Sequence, residues 1–263
     1  MKVLMCPPTY FSVDYEINPW MHRDKPVDKQ LAQKQWSALA DTYRDLGVEV
    51  ETINPVPGLP DMVFTANAGL VSGKKAVLAS FKYPERQPET VYFKEWFKEN
   101  NFESIELEEG EYFEGQGEAL WFGDTLIAGW GFRATIEAHK RLQETIAPNS
   151  LSVKLTDPRF YHLDTCFLPI NETTAAYYAA AFDFSSKKEL QTLIPNLIEV
   201  SAQEAEAFAC NSVVIGKKIL MPRGSIELPK KLGRLGFDIL ALETNEFKKS
   251  GGGIRCLTLT LEG

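Results

Sequence analysis

The sequence predicts an α/β fold in which five similar units close into a ring, a pseudo-fivefold αβ propeller of five blades in a single domain. Polar residues stand at the heads of five apolar segments, at intervals of roughly 45 to 51 residues: Asn67, Glu118, Asp164, Asn211 and Cys256. A helical and an extended stretch precede each segment, and a turn follows it. The fifth unit lacks a return strand. The N-terminal strand of residues 2–6 can supply it and leave no open sheet edge.

Along the chain, apolar periodicity and helix-ending residues predict the individual elements. The first helix, residues 28–46, has apolar residues at helical spacing and Gly47 just beyond its end. Further helices are predicted at 90–99, 134–146, 187–194, 204–208 and 229–235. Strands are predicted at 48–53, 76–81, 102–107, 125–130, 151–155, 161–169, 174–178, 197–200, 212–215, 219–221 and 237–240. Residues 61–71 are predicted to be a strand centred on Asn67. The alternative to the five-unit propeller is an ordinary mixed α/β sheet in which the spacing of the polar residues recurs by chance.

Composition and charge exclude several classes of protein. The formal net charge of −8 over 263 residues argues against a nucleic-acid or anionic-membrane partner and suits a cationic substrate. Four irregularly spaced cysteines without a C-x-x-C pair argue against a disulfide framework and against a zinc site. The N-terminal apolar run meets Pro7 and Pro8 too soon for a signal peptide or a span. We therefore expect a cytoplasmic protein.

The loop of residues 9–26 is long for a compact domain, and long ordered loops are often functional. Trp20 within it either packs the loop onto the core or faces a ligand. Whether this loop closes as a lid is left open, and so is the formation of a homo-oligomer.

Cys256 is the candidate nucleophile. It follows three glycines in S-G-G-G-I-R-C, a stretch that can bring backbone close to a ligand. A thiol needs a partner that lowers its pKa or orients it. His162 stands two residues before Asp164 beside a predicted strand, so both side chains can face one site. The alternative for Cys256 is a small core residue. The other cysteines are interpreted in that way: Cys6, Cys166 and Cys210.

If the strand heads converge, a channel holds a nucleophile, a histidine, an amide and several carboxylates. These are Cys256, His162, Asp164, Asn67 and either Glu114 or Glu118. No set of histidines is left for a metal, which favours covalent catalysis without a cofactor. Crowded carboxylates repel one another unless a cation joins them, and a guanidinium pairs well with carboxylates. Taken singly, each acid also fits a solvated or capping carboxylate.

Four motifs resemble the guanidine-modifying superfamily: F-T-A-N at 64–67, E-G-x-G-E at 114–118, H-L-D at 162–164 and G-G-x-x-C at 252–256. Its members include arginine deiminase, dimethylarginine dimethylaminohydrolase and amidinotransferases, and its fold is the five-bladed αβ propeller, the pentein. The resemblance covers essentially the whole chain and implies a single catalytic domain over residues 1–263. The loop C-P-P-T-Y-F-S-V-D-Y-E-I-N-P-W-M, with Asn18, is most similar to the cyanobacterial arginine dihydrolase branch, where a second domain is fused.

The resemblance implies a role for each site residue. Cys256 attacks the guanidinium carbon, and His162 protonates the departing ammonia and then activates water. Glu114 orients His162 and pairs with the guanidinium, while Asp164 holds its other nitrogens. The remaining substrate-binding residues are Asn18, Phe64 and Asn67, with Arg86 and Arg133 at positions that hold the substrate α-carboxylate. The alternative for the two arginines is an exposed place on the surface.

Asn67 departs from the superfamily pattern, because deiminases and dimethylargininases carry aspartate there. An aspartate prefers cationic arginine to uncharged citrulline, whereas an amide discriminates less. A site with Asn18 and Asn67 is therefore expected to retain citrulline and attack it again. The resemblance thus implies arginine dihydrolase activity, with ornithine, carbon dioxide and ammonia as products.

Several alternatives stay open. Arginine deiminase or dimethylarginine dimethylaminohydrolase activity would yield citrulline, and another guanidino compound or amidino transfer is also compatible with the motifs. A more distant alternative is a non-enzymatic binding protein, because a ribosome anti-association factor shares the propeller fold. Such a protein has no need to assemble a cysteine, a histidine and acids at the strand heads.

Overall fold

The structure is a computed structural model that describes residues 1–261, and within them fifteen strands form five three-stranded sheets. The strands are β1 Lys2–Met5, β2 Glu49–Thr52, β3 Gly69–Ser72, β4 Lys75–Leu78, β5 Glu103–Ile105, β6 Ala119–Phe122, β7 Thr125–Trp130, β8 Ser150–Lys154, β9 Phe167–Asn171, β10 Thr174–Tyr177, β11 Asn196–Glu199, β12 Val213–Ile215, β13 Lys218–Pro222, β14 Asp238–Leu242 and β15 Leu259–Thr260. The helices are α1 Lys29–Asp45, α2 Glu89–Glu99, α3 Ile136–Thr145, α4 Phe184–Leu193, α5 Ala202–Glu206, α6 Glu227–Arg234 and α7 Asn245–Lys248. Positions 262 and 263 of the predicted domain lie outside the described residues.

All five sheets share one topology. In four of them, two consecutive strands form an antiparallel hairpin, and the third strand pairs in parallel with the second. A parallel pair needs a crossover connection, and a helix supplies it in each unit. In the fifth sheet β15 pairs antiparallel with β1, which pairs in parallel with β2. The two ends of the chain therefore share one blade, and the predicted α/β propeller of five units is confirmed.

Helix α1 shows why the predicted elements form where they do. Asp28 caps its N-terminus, with one carboxylate oxygen accepting hydrogen bonds from the backbone of Gln30 and Leu31. Gly47 follows the helix with a φ of 75°, a conformation that favours glycine. The buried face of the helix packs against the sheet of β1, β2 and β15 through apolar side chains that include Trp36 and Leu39.

The backbone conformation at the strand heads differs from the prediction, because the polar residues lie in or beside turns and not in strands. Asn67 does not lie at the centre of a strand, because residues Pro60–Val63 and Thr65–Ala68 form 3-10 turns and β3 begins only at Gly69. His162 likewise precedes the 3-10 turn Leu163–Thr165 and Asp164 lies within it, so strand alternation does not bring them together. Cys256 also lies in a turn, three residues before β15. The physical reason is that these segments bond to neighbouring blades, as the Ala66 amide does to the Cys256 carbonyl.

Smaller differences lie near the end of the chain. Helix α7 was not predicted, and α5 begins at Ala202, two residues earlier than expected, because Ser201 caps it.

Apolar side chains fill the space between each sheet and the helices around it. Across residues 1–261, every helix is too short or too polar to traverse a bilayer.

Candidate active site

The strand heads meet at one buried pocket. Seven of the nine predicted site residues line it: Asn18, Phe64, Asn67, Arg86, Arg133, His162 and Cys256. The other two, Glu114 and Asp164, lie directly behind the lining and contact His162 and Cys256. The free space is only about 10 Å³, close to the volume that one water needs. An amino acid can therefore enter only if lining side chains move.

Cys256 is held at the base of the pocket by close backbone packing. A Cβ at Gly252 would lie 2.3 Å from the ring of Phe64, and one at Gly253 would lie 2.8 Å from Asn211 Oδ1. The glycine run thus allows the neighbouring side chains to approach the cysteine turn. The Sγ atom lies 3.1 Å from Asp164 Oδ2, to which the thiol donates. Burial, followed by the Asp164 charge, raises the pKa of Cys256 well above its ordinary value.

His162 and Glu114 form a buried pair. His162 Nε2 lies 2.8 Å from Glu114 Oε2. Burial lowers the pKa of His162 to about 4, although Glu114 partly opposes the shift, so the imidazole is neutral at pH 7. Because the ionised Glu114 can only accept, the single ring proton belongs on Nε2, and Nδ1 keeps a free lone pair. A neutral histidine in this tautomer can act as a base at Nδ1.

Arg133 holds Glu114 in its ionised form. Its Nη1 atom donates to both carboxylate oxygens at 3.1 and 3.0 Å, and Nη2 donates to the carbonyl of Ile17. The guanidinium lies between two aromatic rings, 4.5 Å from the centre of Tyr83 and 4.6 Å from that of Tyr161. Burial alone would raise the pKa of Glu114, but Arg133 and then His162 outweigh it and hold this pKa below its ordinary value.

Arg86 is the second buried arginine of the pocket, and its Nη1 atom lies 3.8 Å from Glu114 Oε2. Glu89 accepts two hydrogen bonds from its guanidinium, from Nε at 2.9 Å and from Nη2 at 2.8 Å. Its Nη1 atom donates to Asn67 Oδ1 at 2.8 Å, and the Asn67 amide donates in turn to the Glu114 carbonyl at 3.3 Å. Both arginines are buried, so the alternative of exposed surface arginines is wrong.

Asp61 is a pocket residue that the sequence analysis missed. Its Oδ2 atom accepts a hydrogen bond from Tyr15 at 2.8 Å, while Oδ1 is buried without a hydrogen-bond partner among the described residues. Burial raises its pKa, and Arg86 opposes that shift. Tyr161 was also missed, although it precedes His162 directly. Nothing in the local sequence distinguishes Asp61 from a loop aspartate, because its position depends on the 3-10 turn Pro60–Val63, in which it is the second residue.

Other acids lie behind the pocket without a cation. Glu118 lies 3.7 Å from His162 Nε2, and neither of its carboxylate oxygens has a hydrogen-bond partner within the part of the chain described. Burial and the nearby Glu114 raise its pKa well above the ordinary value. Burial likewise raises the pKa of Asp164 to about 7. The site therefore combines one firmly ionised carboxylate, that of Glu114, with acids whose pKa burial raises: Asp61, Glu118 and Asp164.

The loop of residues 9–26 covers one side of the pocket. Asn18 donates from Nδ2 to the Tyr161 hydroxyl at 3.2 Å and to the Ser250 carbonyl at 3.1 Å. The Trp20 indole donates to the Arg159 carbonyl at 2.7 Å and packs edge-on against Phe208. Trp20 does not line the pocket, so it packs the loop onto the core and does not face the site.

His139 and the other three cysteines do not line the pocket. His139 contacts the Ser152 hydroxyl and the Gly129 carbonyl in a buried position. The other three cysteines are buried, as predicted: Cys6, Cys166 and Cys210. In residues 1–261, no three of the side chains that commonly bind metals form a group able to hold an ion.

A five-bladed αβ propeller that gathers a cysteine, a histidine and buried acids at its strand heads defines the guanidine-modifying superfamily, whose hydrolases act on C–N bonds of guanidino compounds. The model of the eukaryotic N,N dimethylarginine dimethylhydrolase family matches residues 7–262. The chain belongs to this family, and the predicted superfamily membership is confirmed.

Similar proteins represent two activities. The chain is 42% identical to the bifunctional arginine dihydrolase/ornithine cyclodeaminase ArgZ of Synechocystis over 98% of its own length, but it spans only 37% of that relative. It is 38% identical to the N(G),N(G)-dimethylarginine dimethylaminohydrolase of Mycobacterium tuberculosis, covering 99% of this chain and 85% of the relative. The substrate-bound N-terminal domain of the cyanobacterial dihydrolase ArgZ superimposes with a TM-score of 0.96 at 41% identity, covering 99% of this chain and 98% of that domain.

Proposed function

We propose that this protein is an arginine dihydrolase that converts arginine and two waters into ornithine, carbon dioxide and two ammonia. The observation that carries the proposal is the buried amide of Asn67 at the pocket wall, next to the Glu114 backbone. An amide binds cationic arginine and uncharged citrulline with less discrimination than an aspartate would. Citrulline formed in the pocket is therefore retained long enough for a second attack.

The first hydrolysis uses Cys256 and His162. Nδ1 of neutral His162 takes the thiol proton as Sγ bonds to the guanidinium carbon, which gives a tetrahedral intermediate. His162 then returns the proton to a terminal nitrogen, the C–N bond breaks, and ammonia leaves a thiouronium adduct. Next, His162 deprotonates a water that adds to the same carbon. The C–S bond then breaks, the sulfur regains a proton, and citrulline remains.

The second hydrolysis repeats the sequence on citrulline. Sγ attacks the ureido carbon, protonation by His162 expels the second ammonia, and water cleaves the adduct. The carbamate that results loses carbon dioxide and leaves ornithine. Glu114 keeps Nε2 protonated in both rounds and so fixes the tautomer that presents a basic Nδ1. Asp164, beside Sγ, is placed to accept hydrogen bonds from the guanidinium nitrogens.

Charged groups around the pocket suit the amino-acid end of arginine. Arg86 and Arg133 supply two buried cations for the α-carboxylate once they leave Asn67 and Glu114. The unpartnered Oδ1 of Asp61 and the Ile17 carbonyl supply acceptors for the α-ammonium group. Asn18 and Phe64 complete the wall beside the loop. Substrate binding thus replaces internal ion pairs by pairs with the substrate.

Product analysis tests the proposal. Purified protein is incubated with arginine, and ornithine, citrulline and ammonia are followed over time, with Cys256→Ser as the inactive control. We expect two ammonia and one ornithine per arginine, and ornithine from added citrulline. Asn67→Asp should stop at citrulline, because a carboxylate in that position favours the cationic substrate. Citrulline as the final product of the unmodified protein would contradict the proposal.

The relative from Mycobacterium tuberculosis supports a second candidate, dimethylarginine dimethylaminohydrolase activity. Asymmetric dimethylarginine is assayed beside arginine under the same conditions. Faster release of dimethylamine from dimethylarginine than of ammonia from arginine would favour this candidate.

Either activity would take place in one catalytic domain over residues 1–263, without a cofactor, in the cytoplasm and on a small guanidino substrate. Neither needs a nucleic acid or a membrane.

A further inference from the structure

Asn211 is buried beside the nucleophile but has no part in the mechanism described so far. It stands at the head of the fourth unit, two residues before β12, and is 0% exposed. Its Nδ2 atom lies 3.1 Å from Cys256 Sγ and 3.1 Å from the carbonyl of Asp164. Its Oδ1 atom lies 3.1 Å from the Arg255 amide and 3.4 Å from the Cys256 amide.

These four contacts fix the orientation of the amide. Backbone N–H groups only donate, so the atom that faces Arg255 and Cys256 must be the oxygen. The NH₂ group then faces a carbonyl oxygen and the sulfur, and both of these accept. Every hydrogen-bonding position of the side chain is therefore used, and a flipped amide would oppose donor to donor and acceptor to acceptor. Sγ is consequently an acceptor from Asn211 in every state of the sulfur.

Asp164 accepts a hydrogen bond from the same sulfur to which Asn211 donates. The thiol donates to Asp164 Oδ2, so this contact favours the protonated sulfur and is lost when the proton leaves. Asn211 is the only side chain among residues 1–261 whose hydrogen bond donates to Sγ. Negative charge on sulfur strengthens that bond, because hydrogen bonds to ionised acceptors are roughly twice as strong as neutral ones.

We propose that Asn211 is a catalytic residue whose Nδ2–H group stabilises the thiolate of Cys256 as it attacks the substrate carbon. The reaction served is the proposed arginine hydrolysis, but the stabilisation itself needs no substrate. Loss of the donor destabilises the thiolate more than the thiol, because the hydrogen bond to the charged sulfur is the stronger of the two. The thiolate population at a given pH should fall accordingly.

Other groups also act on the ionisation of Cys256. Asp164 opposes it, and the charge of the neighbouring Arg255 interacts with the sulfur. Tyr161 on the pocket wall is neutral, because burial raises its pKa. His162 lines the same pocket, and the Gly253 backbone favours the thiolate. Asn211 also bonds the backbone of Asp164, Arg255 and Cys256. An aspartate at this position keeps the acceptor for the two amides and removes only the donor, so it is compared with alanine.

The test measures alkylation of Cys256 by iodoacetamide across a range of pH, with Asn211→Ala and Asn211→Asp compared with the unmodified protein. Thiolate sulfur displaces iodide, so the rate reports the ionised fraction. We expect alkylation of the alanine variant at pH 8 to be slower by about tenfold or more, and its pH midpoint to rise by about one unit. The aspartate variant should be slower still, because it replaces the donor by a charged acceptor.

Gln116→Ala is the matched control. It removes a buried amide that bonds Arg255 and Thr260 but does not touch the sulfur. Its alkylation profile should stay within about twofold of the unmodified protein, because no charge near the sulfur is added or removed. Unchanged alkylation in Asn211→Ala would overturn the proposal, and so would a loss confined to Asn211→Asp. If the aspartate variant does not fold, the alanine variant alone decides. Slower alkylation in an enzyme that does not hydrolyse arginine would overturn only the proposed function.

Discussion

Each buried acid of the site takes its protonation state from what it touches. Glu114 contacts Arg133 and is ionised. Glu118 has no cation within bonding distance among the described residues, and Asp164 touches a thiol, so burial favours their protonated forms. Arrival of a guanidinium would stabilise the ionised form of Asp164. Binding of the cationic substrate is thus coupled to proton release.

Asp164→Asn should stabilise the protein in a pH-dependent manner. The pKa of Asp164 is raised from 3.8 to about 7, so its protonated form contributes stability in acid that is lost as pH rises towards 7. Asparagine stays neutral throughout. The gain in free energy of unfolding over the unmodified protein should therefore grow between about pH 4 and pH 7, by a few kcal/mol, and then level off. Urea unfolding at several pH values measures it.

The same variant should lose most of its activity towards arginine, because a neutral amide cannot bind the guanidinium nitrogens as an anion. His162 is present in both proteins, so its own titration cancels in the comparison. A stability difference that does not vary with pH would contradict the raised pKa of Asp164.

At the scale of the elements, the 3-10 turns at the strand heads depend on glycines where blades touch. Gly115 has a φ of 60°, and a Cβ there would lie 2.6 Å from the Ala66 carbonyl oxygen. A Cβ at Gly117 would lie 2.3 Å from Asn67 Nδ2 and 3.3 Å from His162 Nδ1. These turns therefore bring the heads of adjacent blades within contact distance across the pocket.

Gly117→Ala should impair the citrulline step more than the arginine step. The added methyl group must displace the Asn67 amide, on which retention of citrulline depends. Overpacking of this kind costs about 1–3 kcal/mol of stability. Separate rates with arginine and with citrulline, together with thermal unfolding, measure both effects.

Gly233→Ala is the control for that substitution. Gly233 lies in α6 with no atom within 4 Å of its added Cβ, so alanine should stabilise the helix by about 0.5–1 kcal/mol and leave both rates unchanged. Equal loss of the two activities in Gly117→Ala would show that the turn positions His162 alone.

Most elements could be predicted from the sequence, because apolar spacing and caps are local signals. Asn67, Glu118, Asp164, Asn211 and Cys256 were identified by their period, which survives insertions in the loops. Their backbone conformation could not be predicted. The Thr65 hydroxyl donates to the carbonyls of residues 4 and 257, which are close only after the ring has closed. The place of Asp61 depends on the same turns, and so it was missed.

At the scale of the whole molecule, closure of the ring joins both chain ends to the site. β1 pairs with β15 through Val3 with Thr260 and Leu4 with Leu259. β15 follows Cys256 by three residues, so the N-terminal strand fixes the segment that carries the nucleophile. The fifth blade therefore cannot form until residues 259–260 have been synthesised.

Leu4→Ala should weaken the entire fold. Leu4 is 0% exposed, and truncation of a buried leucine costs about 2–5 kcal/mol. Chemical denaturation followed by circular dichroism should show one cooperative transition at lower denaturant. Val91→Ala, at a side chain 61% exposed, makes a similar apolar truncation and should change the midpoint little. Early loss of the fifth blade in a separate transition would argue against a cooperative ring.

The size of the resting cavity has a consequence for the lifetime of the protein. With room for about one water beside a cysteine that is 2% exposed, oxidants and disulfides reach the sulfur only when the lining side chains separate. The side chains that close the cavity must separate each time the proposed substrate enters, and the reactive sulfur is uncovered then. Oxidative damage should therefore accumulate with the number of catalytic cycles and not with elapsed time, so that an idle protein outlasts a working one.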